Sequence, residues 1–313
     1  QYFGEVGSNH NFGAAISVIA ILITAVIFLF QRFINSKFQF TMNALHPVER
    51  KKAKGLFNIL IHMYSYIVVG IAFAPQAYVI YTSFQNTSGK LFIDGYSLKS
   101  YEEAFKRMGR SIENTFLIGG IALILVIVLA VLIAYLVVRR NNQINKLIDT
   151  LSMIPYIIPG SVVGIALVLA FNTKPLVLTG TAVIMVVALI IRRIPYTIRS
   201  SVAILQQIPL TIEEAAISLG SSKLKAFFTV TVPMMGNGIL SGAILSWVTI
   251  ITELSTAIIL YNLRTITLTL AIYTYVSRGS YGIAAALATM LTALTIVSLV
   301  IFMKISKTKE ITF

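Results

Sequence analysis

Long apolar stretches alternate with short polar connections along most of the chain. Seven of them can cross a membrane as helices, because about 20 apolar residues span a hydrocarbon core of roughly 30 Å. A helix also satisfies its own backbone hydrogen bonds in lipid. We therefore predict an all-α polytopic membrane protein, with spans at residues 13–31, 57–84, 115–138, 151–172, 175–191, 236–260 and 282–303.

The composition supports this class of protein. Hydrophobic residues make up 57% of the chain and charged residues only 12%, which is too apolar for an ordinary soluble domain. The chain contains no cysteine, which excludes a disulfide framework and a thiolate metal site.

Basic residues are distributed unevenly over the connections. If successive spans alternate in direction, one side receives 17 Lys and Arg residues and the other receives 8. The positive-inside rule places the richer side in the cytoplasm, with residue 1 outside and Phe313 inside. The net charge of +14 then reflects topology and contact with anionic membrane lipid, rather than binding to nucleic acid.

The two ends of the chain resemble each other. "SNHNFGAAISVIAILITAV" (8–26) aligns with "SRGSYGIAAALATMLTALT" (277–295). Two similar Gly- and Ala-rich span starts are one explanation, and a tandem repeat of about 269 residues is the other. In the second case residues 1–56 are the last helix of an upstream copy plus a cytoplasmic linker, 57–304 are one six-helix unit and 305–313 are a cytoplasmic tail. The start at Gln1, without a charged leader, fits a piece of a longer or processed chain.

A polar insert at residues 192–235 interrupts the apolar pattern. Thr211 stands three residues before Glu214, which predicts a capping box and a short helix over 212–219. Gly220 predicts the end of that helix, because glycine adopts the left-handed conformation of a helix C-terminus.

A second short helix is predicted after the glycine. Ser221 or Ser222 caps its start, and Pro233 is expected to end it. Leu219, Leu224, Phe227 and Phe228 give the pair apolar faces. On these grounds alone, a surface helix pair that rests on the membrane is an equal alternative to a docking site.

The spacing of this insert resembles a known motif. "EAAISLGSSKLKAFFTVTVP" (214–233) matches the EAA loop of permease subunits in binding-protein-dependent ABC importers, whose pattern is EAA-x3-G-x9-I-x-L-P. Val230 and Val232 replace the Ile and the Leu of that pattern. The resemblance covers about 57–304 and implies a six-helix permease unit, preceded here by one extra transmembrane helix, in the inner membrane of a prokaryote.

The resemblance also implies partners. A separate ABC ATPase dimer would receive the loop, a periplasmic or extracellular binding protein would deliver substrate, and a second permease half would complete the pathway. This chain contains no G-x4-G-K-[ST], so ATP and Mg²⁺ are expected in the ATPase, with no cofactor and no catalysis here. The expected coupling residues are Glu213, Glu214, Ala215, Ala216, Leu219, Gly220, Phe228 and Pro233.

Span six contains Glu253, the single acidic residue that we place within the membrane. An ionisable group there is a functional candidate, although a carboxyl that only caps backbone or bonds a neighbouring Ser or Thr is an equal alternative. The run from Glu253 to Leu260 and the segment 267–287 resemble ferric-iron importer permeases. Iron is thus the leading substrate, with polyamines, thiamine, phosphonates and sulfate as alternatives.

Span four contains two prolines and should bend. Pro155, Pro159 and Gly160 are expected to line a translocation pathway beside Glu253, because freed carbonyls are tolerated only against protein or water. A kink that serves packing alone is the alternative. The pattern of polar and apolar residues in 96–115 predicts an amphipathic surface helix outside the membrane.

Two other classes of function remain at this stage. An ion-coupled secondary carrier would need no ATPase, but it leaves the 213–233 insert unexplained. A membrane scaffold without transport is the other. His10, His46 and His62 are too scattered to predict a metal site.

Overall fold

The computed structural model describes residues 54–140 and 142–306, with scattered helical positions between residues 18 and 34. The first predicted span is covered only at those positions. Most of the linker, the tail after residue 306 and the residues His10 and His46 lie outside the described residues. The expectation of an all-α membrane protein is confirmed for the described part.

The elements follow the chain as a series of long and broken helices. They are α1 (Gly55–Ser83), β1 (Gln85–Ser88), β2 (Leu91–Tyr96), α2 (Lys99–Arg139), α3 (Gln143–Ile157), α4 (Gly160–Phe171), α5 (Ala182–Gln207), α6 (Leu210–Ser218), α7 (Lys223–Ala226), a π-helical turn (Phe227–Thr231), α8 (Val232–Met234), α9 (Gly236–Ile251), α10 (Ala257–Leu260), α11 (Leu268–Ser277) and α12 (Tyr281–Ser306).

Only some of these helices are simple spans. Within the described residues, α1, α2 and α12 are each long and apolar enough to cross a membrane. Two bent pairs could each supply one more span: α3 with α4, bent by 111°, and the 223–234 helix with α9, bent by 68°. Predicted span four is therefore broken, and predicted span six is interrupted between Ile251 and Ala257, whereas spans two, three and seven are continuous.

The predicted fifth span, 175–191, is wrong in its bounds. Helix α5 starts at Ala182 and continues to Gln207, through 16 residues that we assigned to a cytoplasmic connection. The apolar helical period continues past two arginines, since Ile198, Val202 and Leu205 are all buried. Every 18-residue stretch of α5 contains three arginines, which hides it from a search for apolar spans.

The outer connection also differs from expectation. The helix predicted in 96–115 is present over residues 99–107, and a kink at the non-helical Met108 joins it directly to the rest of α2. The buried side chains of Ala104 and Ser111 show that this segment packs inward. Strands β1 and β2 form a small antiparallel hairpin that we did not predict, with a turn at Gly89, which has φ of +60°.

Helix α5 lies at the centre and packs against α2 and α9. Small residues permit the close approach. Ala130 and Ala134 of α2 are fully buried in one cluster with Ile198 and Val202 of α5. A Cβ on Gly242 of α9 would lie 2.8 Å from the Cα of Thr197. Such contacts are typical of helix pairs in membranes, where small residues let backbones meet.

Substituting Gly242→Ala should lower stability by about 1–3 kcal/mol, because the new methyl group meets backbone that must move. Thermal unfolding of the purified protein in detergent, followed as Tm, measures this. Gly120→Ala is the matched control, since nothing lies within 4 Å of a Cβ at that helical position. Equal Tm values for the two variants would contradict the close packing of α5 and α9.

Candidate functional site

A polar segment between α5 and α9, residues 209–235, corresponds to the predicted insert and is here called the EAA-like loop. Its first helix, α6, starts at Leu210, two residues before the prediction, with Pro209 as its N-cap residue. Thr211 therefore lies inside the first turn, and the predicted capping box is not formed. The extended backbone of Pro209 already fixes the helix start, and its carbonyl accepts from the Ile212 N–H at 3.3 Å.

The end of α6 is as predicted. Gly220 has φ of +94°, which only glycine adopts without strain. The Ser221 N–H donates to the Ala216 carbonyl and the Gly220 N–H to the Ile217 carbonyl, at 3.1 and 2.9 Å. This is the Schellman arrangement of a helix C-terminus, and it fixes the angle at which the chain leaves α6.

The second half of the loop is helical without a stop at the proline. Ser222 caps α7, since its Oγ accepts from the Lys225 N–H at 3.2 Å. Pro233 was expected to end this helix, but it lies inside α8, and the chain bends at Met235 instead. Proline has no backbone N–H to donate. A π turn precedes Pro233 and the residue lies in the first turn of α8, so the helix loses no hydrogen bond there.

Apolar side chains on the loop are exposed. Leu219 is 89% exposed, Leu224 is 73% exposed and Phe228 is 62% exposed. Glu214 and Ala215 are exposed beside them. Exposed apolar side chains on a helix pair indicate a surface that contacts another protein or the membrane.

Glu213 differs from the other predicted coupling residues. Its side chain is buried against the C-terminal end of α2, where Oε1 accepts from Arg139 Nε at 2.7 Å. Oε2 accepts from the Tyr135 hydroxyl at 3.1 Å. Glu213 is thus an internal anchor of α6, and only its neighbour Glu214 is available to a partner.

A second ion cluster lies in the interior, at a break between α9 and α10. Glu253 occupies this break, and Arg193 of α5 donates to its Oε2. The second arginine, Arg192, brings Nη2 to 3.7 Å from the same oxygen. The other oxygen, Oε1, accepts from Ser255 Oγ at 2.7 Å and from the Thr256 N–H at 2.9 Å.

One of these arginines also reaches the break between α3 and α4. Arg192 Nη1 donates to the Ile158 carbonyl at 2.8 Å, which pairs a backbone group that the break leaves free. A Cβ on Gly160 would overlap the hydroxyl of Ser255, so the two breaks touch. The structure therefore brings Pro159, Gly160 and Glu253 together, whereas Pro155 lies inside α3.

Sequence reasoning missed Arg192 and Arg193, which we assigned to a connection. The available signal was the apolar helical period that continues beyond them. Among the described residues, no three His, Cys, Asp or Glu side chains are grouped as a metal site.

These features define a polytopic helical membrane protein with a polar helix pair at one end and broken helices inside. Residues 126–309 match the family described as binding-protein-dependent transport system inner membrane component. The chain belongs to this family of multi-pass inner-membrane transport proteins, which confirms the resemblance found in the 214–233 spacing.

Individual relatives transport different substrates. The ferric transport system permease protein FbpB of Actinobacillus pleuropneumoniae is 29% identical over 298 residues, covering 93% of this chain and 43% of that protein. The molybdate/tungstate transport system permease protein WtpB of Pyrococcus furiosus is 32% identical over 153 residues, covering 48% of this chain and 59% of that protein. This chain thus spans less than half the length of the ferric relative.

A solved structure shares the fold. A chain of a bacterial ABC transporter involved in the import of the acidic polysaccharide alginate superposes with a TM-score of 0.60 at 17% identity. The match covers 80% of this chain and 95% of that chain. At this identity the likeness concerns the fold alone.

Neutralising Glu253 should destabilise the protein, because Glu253→Gln leaves two arginines in the interior without a counter-charge. Breaking a buried pair in this way costs about 3–5 kcal/mol. Tm in detergent measures the loss. Glu103→Gln, which breaks an exposed pair with Arg107, is the control and should cost less than about 1 kcal/mol. A Tm for Glu253→Gln as high as for the control would contradict the cluster.

Proposed function

We propose that this chain is a permease half of an ATP-driven, binding-protein-dependent importer. The observation that carries the proposal is the EAA-like loop, whose exposed apolar side chains stand on a helix pair with a fixed glycine elbow. Membership of the family supports it. Residues 57–304 would form the six-helix unit. Residues 1–56 would contain the last helix of an upstream copy and the linker that follows it.

A separate ABC ATPase dimer would bind the EAA-like loop. Leu219, Leu224 and Phe228 would be buried in the contact, and the small Ala215 and its neighbour Ala216 would let the backbones approach. Glu214 offers a charge to a basic or amide group. ATP and Mg²⁺ would be bound by that partner, and movement of the loop would switch the pathway between inward- and outward-open states.

The orientation follows from charge. Arg192 and Arg193 are shielded in the interior beside Glu253 and are removed from the count of basic residues in connections, whereas the half-exposed Arg199 stays in it, which leaves 15 on one side against 8 on the other. The asymmetry still favours a cytoplasmic EAA-like loop, with residue 1 outside and the C-terminus inside. That is the side on which an ATPase meets ATP.

Docking is tested by Leu219→Lys. Loss of one buried leucine contact costs about 1.5–3 kcal/mol, which corresponds to a drop of roughly 10- to 100-fold in affinity for the ATPase. Copurification and titration of the ATPase with the full-length permease measure this. Leu263→Lys is the matched control, because Leu263 is also 89% exposed but lies outside the EAA-like loop. Equal ATPase affinity in both variants would refute docking at this surface.

The pathway would pass beside the two helix breaks. Pro159, Gly160 and Glu253 stand there with backbone groups that leave regular helices, as is common at substrate sites of transporters. Pro155 would contribute from one turn away. Engagement of Glu253 by two arginines disfavours the ion-coupled carrier, which needs a carboxylate that is free to exchange an ion.

Ferric iron is the substrate that we favour. The identity with the ferric relative extends over most of this chain, and the Glu253–Leu260 and 267–287 segments resemble ferric permeases. The name of the molybdate/tungstate relative makes an oxyanion the second candidate. It ranks below iron because that relative matches only about half of the chain.

Uptake into proteoliposomes distinguishes these substrates. The full-length permease, its ATPase and its binding protein should accumulate radioactive ferric iron when ATP is present inside with the ATPase. Uptake should fall in Glu253→Ala, measured against the amount of correctly inserted protein. ATP-dependent uptake of molybdate or tungstate without uptake of iron would replace the iron assignment but keep the importer.

A further inference from the structure

The inner end of α2 contacts both helices of the EAA-like loop. Arg139 and Tyr135 bind the carboxylate of Glu213 in α6 at 2.7 and 3.1 Å. The ring of Tyr135 also packs edge-on against Phe227, at the start of the π turn, with ring centroids 4.8 Å apart. Arg139 Nη2 donates to the Ile208 carbonyl at 3.0 Å, where α5 ends. We call Arg139, Tyr135 and Glu213 the α2 junction.

The α2 junction is shielded from solvent, unlike the surface ion pairs of this protein. The side chains of Arg139 and Glu213 are 10% and 6% exposed, whereas those of Arg199 and Asp149 are 51% and 27% exposed. A surface pair contributes little and rearranges easily. A buried, hydrogen-bonded pair holds one geometry, because separating it leaves a charge without a partner.

Two chain connections also join the EAA-like loop to membrane helices, a short one from α5 through Ile208 and Pro209, and a less direct one to α9. The chain leaves it through the π turn and a 68° bend before α9 begins. Helix α2, in contrast, is regular from residue 109 to 139, a length of about 46 Å at 1.5 Å per residue, and a kink at Met108 joins this part to the 99–107 segment of the same helix. Its first residues, among them Lys99, Ser100 and Glu103, line a cavity of about 340 Å³ next to the β1–β2 hairpin.

We propose that the α2 junction delivers movement of the EAA-like loop to α2, so that Arg139 and Tyr135 are positioning residues for transport. The inference rests on the proposed importer function. When the ATPase shifts α6, the buried pair between Glu213 and Arg139 makes α2 shift with it. The far end of α2 then changes the cavity at the opposite face, where substrate is delivered.

The test uses the full-length permease with its ATPase and binding protein in proteoliposomes. In Arg139→Gln, the ATPase should remain bound, because Leu219, Leu224 and Phe228 are unchanged. Ferric iron taken up per ATP hydrolysed should fall about tenfold, within the 5- to 150-fold range of typical coupling energies. Arg140→Gln is the matched control, since it removes the same charge from an exposed neighbour, and its ratio should stay at the wild-type value.

A double variant separates positioning from folding. Arg139→Gln with Glu213→Gln leaves no stranded charge, so it should insert and bind the ATPase even if Arg139→Gln alone does not. A low ratio of uptake to ATP hydrolysis in this variant supports the α2 junction. A wild-type ratio with the ATPase bound would overturn it and leave the importer intact. Failure of the wild-type permease to bind the ATPase would instead overturn the proposed function.

Discussion

The interior of this protein is organised by the need to pair buried charge. Arg192 and Arg193 stand on the central helix α5 among apolar side chains, where an unpaired charge is costly. Glu253 is the carboxylate that they share. Since Glu253 sits in one helix break and Arg192 also holds the Ile158 carbonyl of another, a single helix fixes both interruptions. Removing the arginines would leave a buried carboxylate without a counter-charge and the Ile158 carbonyl without its donor.

Close packing makes this pairing possible. Gly160 faces Ser255 with no room for a Cβ, and Gly164 meets Ile259 in the same way one turn later. Helix α4 therefore approaches the break beside Glu253 more closely than a larger residue would permit. In lipid, where apolar burial between helices gains little, such contacts and polar pairs supply much of the specificity of packing. Small residues set the distance, and the ion cluster sets the register.

Features that depend on local chemistry could be predicted from the sequence. The continuous spans follow from uninterrupted apolar runs, and the elbow at Gly220 follows from its backbone freedom, so both were found. The length of α5 was missed because its arginines are neutralised by a residue 60 positions away. The role of Pro233 was misjudged because a π turn precedes it. Glu213 and Glu214 are adjacent and alike in sequence, and only tertiary packing makes one buried and the other exposed.

The two ion clusters share a design. In each, an arginine on a long helix binds a carboxylate on a short or interrupted element: Arg193 with Glu253, and Arg139 with Glu213. Each cluster also has an arginine that donates to a backbone carbonyl at a helix end, Ile158 in one case and Ile208 in the other. A planar guanidinium can bind both groups at once in a fixed direction, whereas the ammonium of lysine is a point charge. Arginine therefore joins an irregular segment to a regular helix without regular backbone pairing, which lets a helical membrane protein contain breaks and still hold them in place.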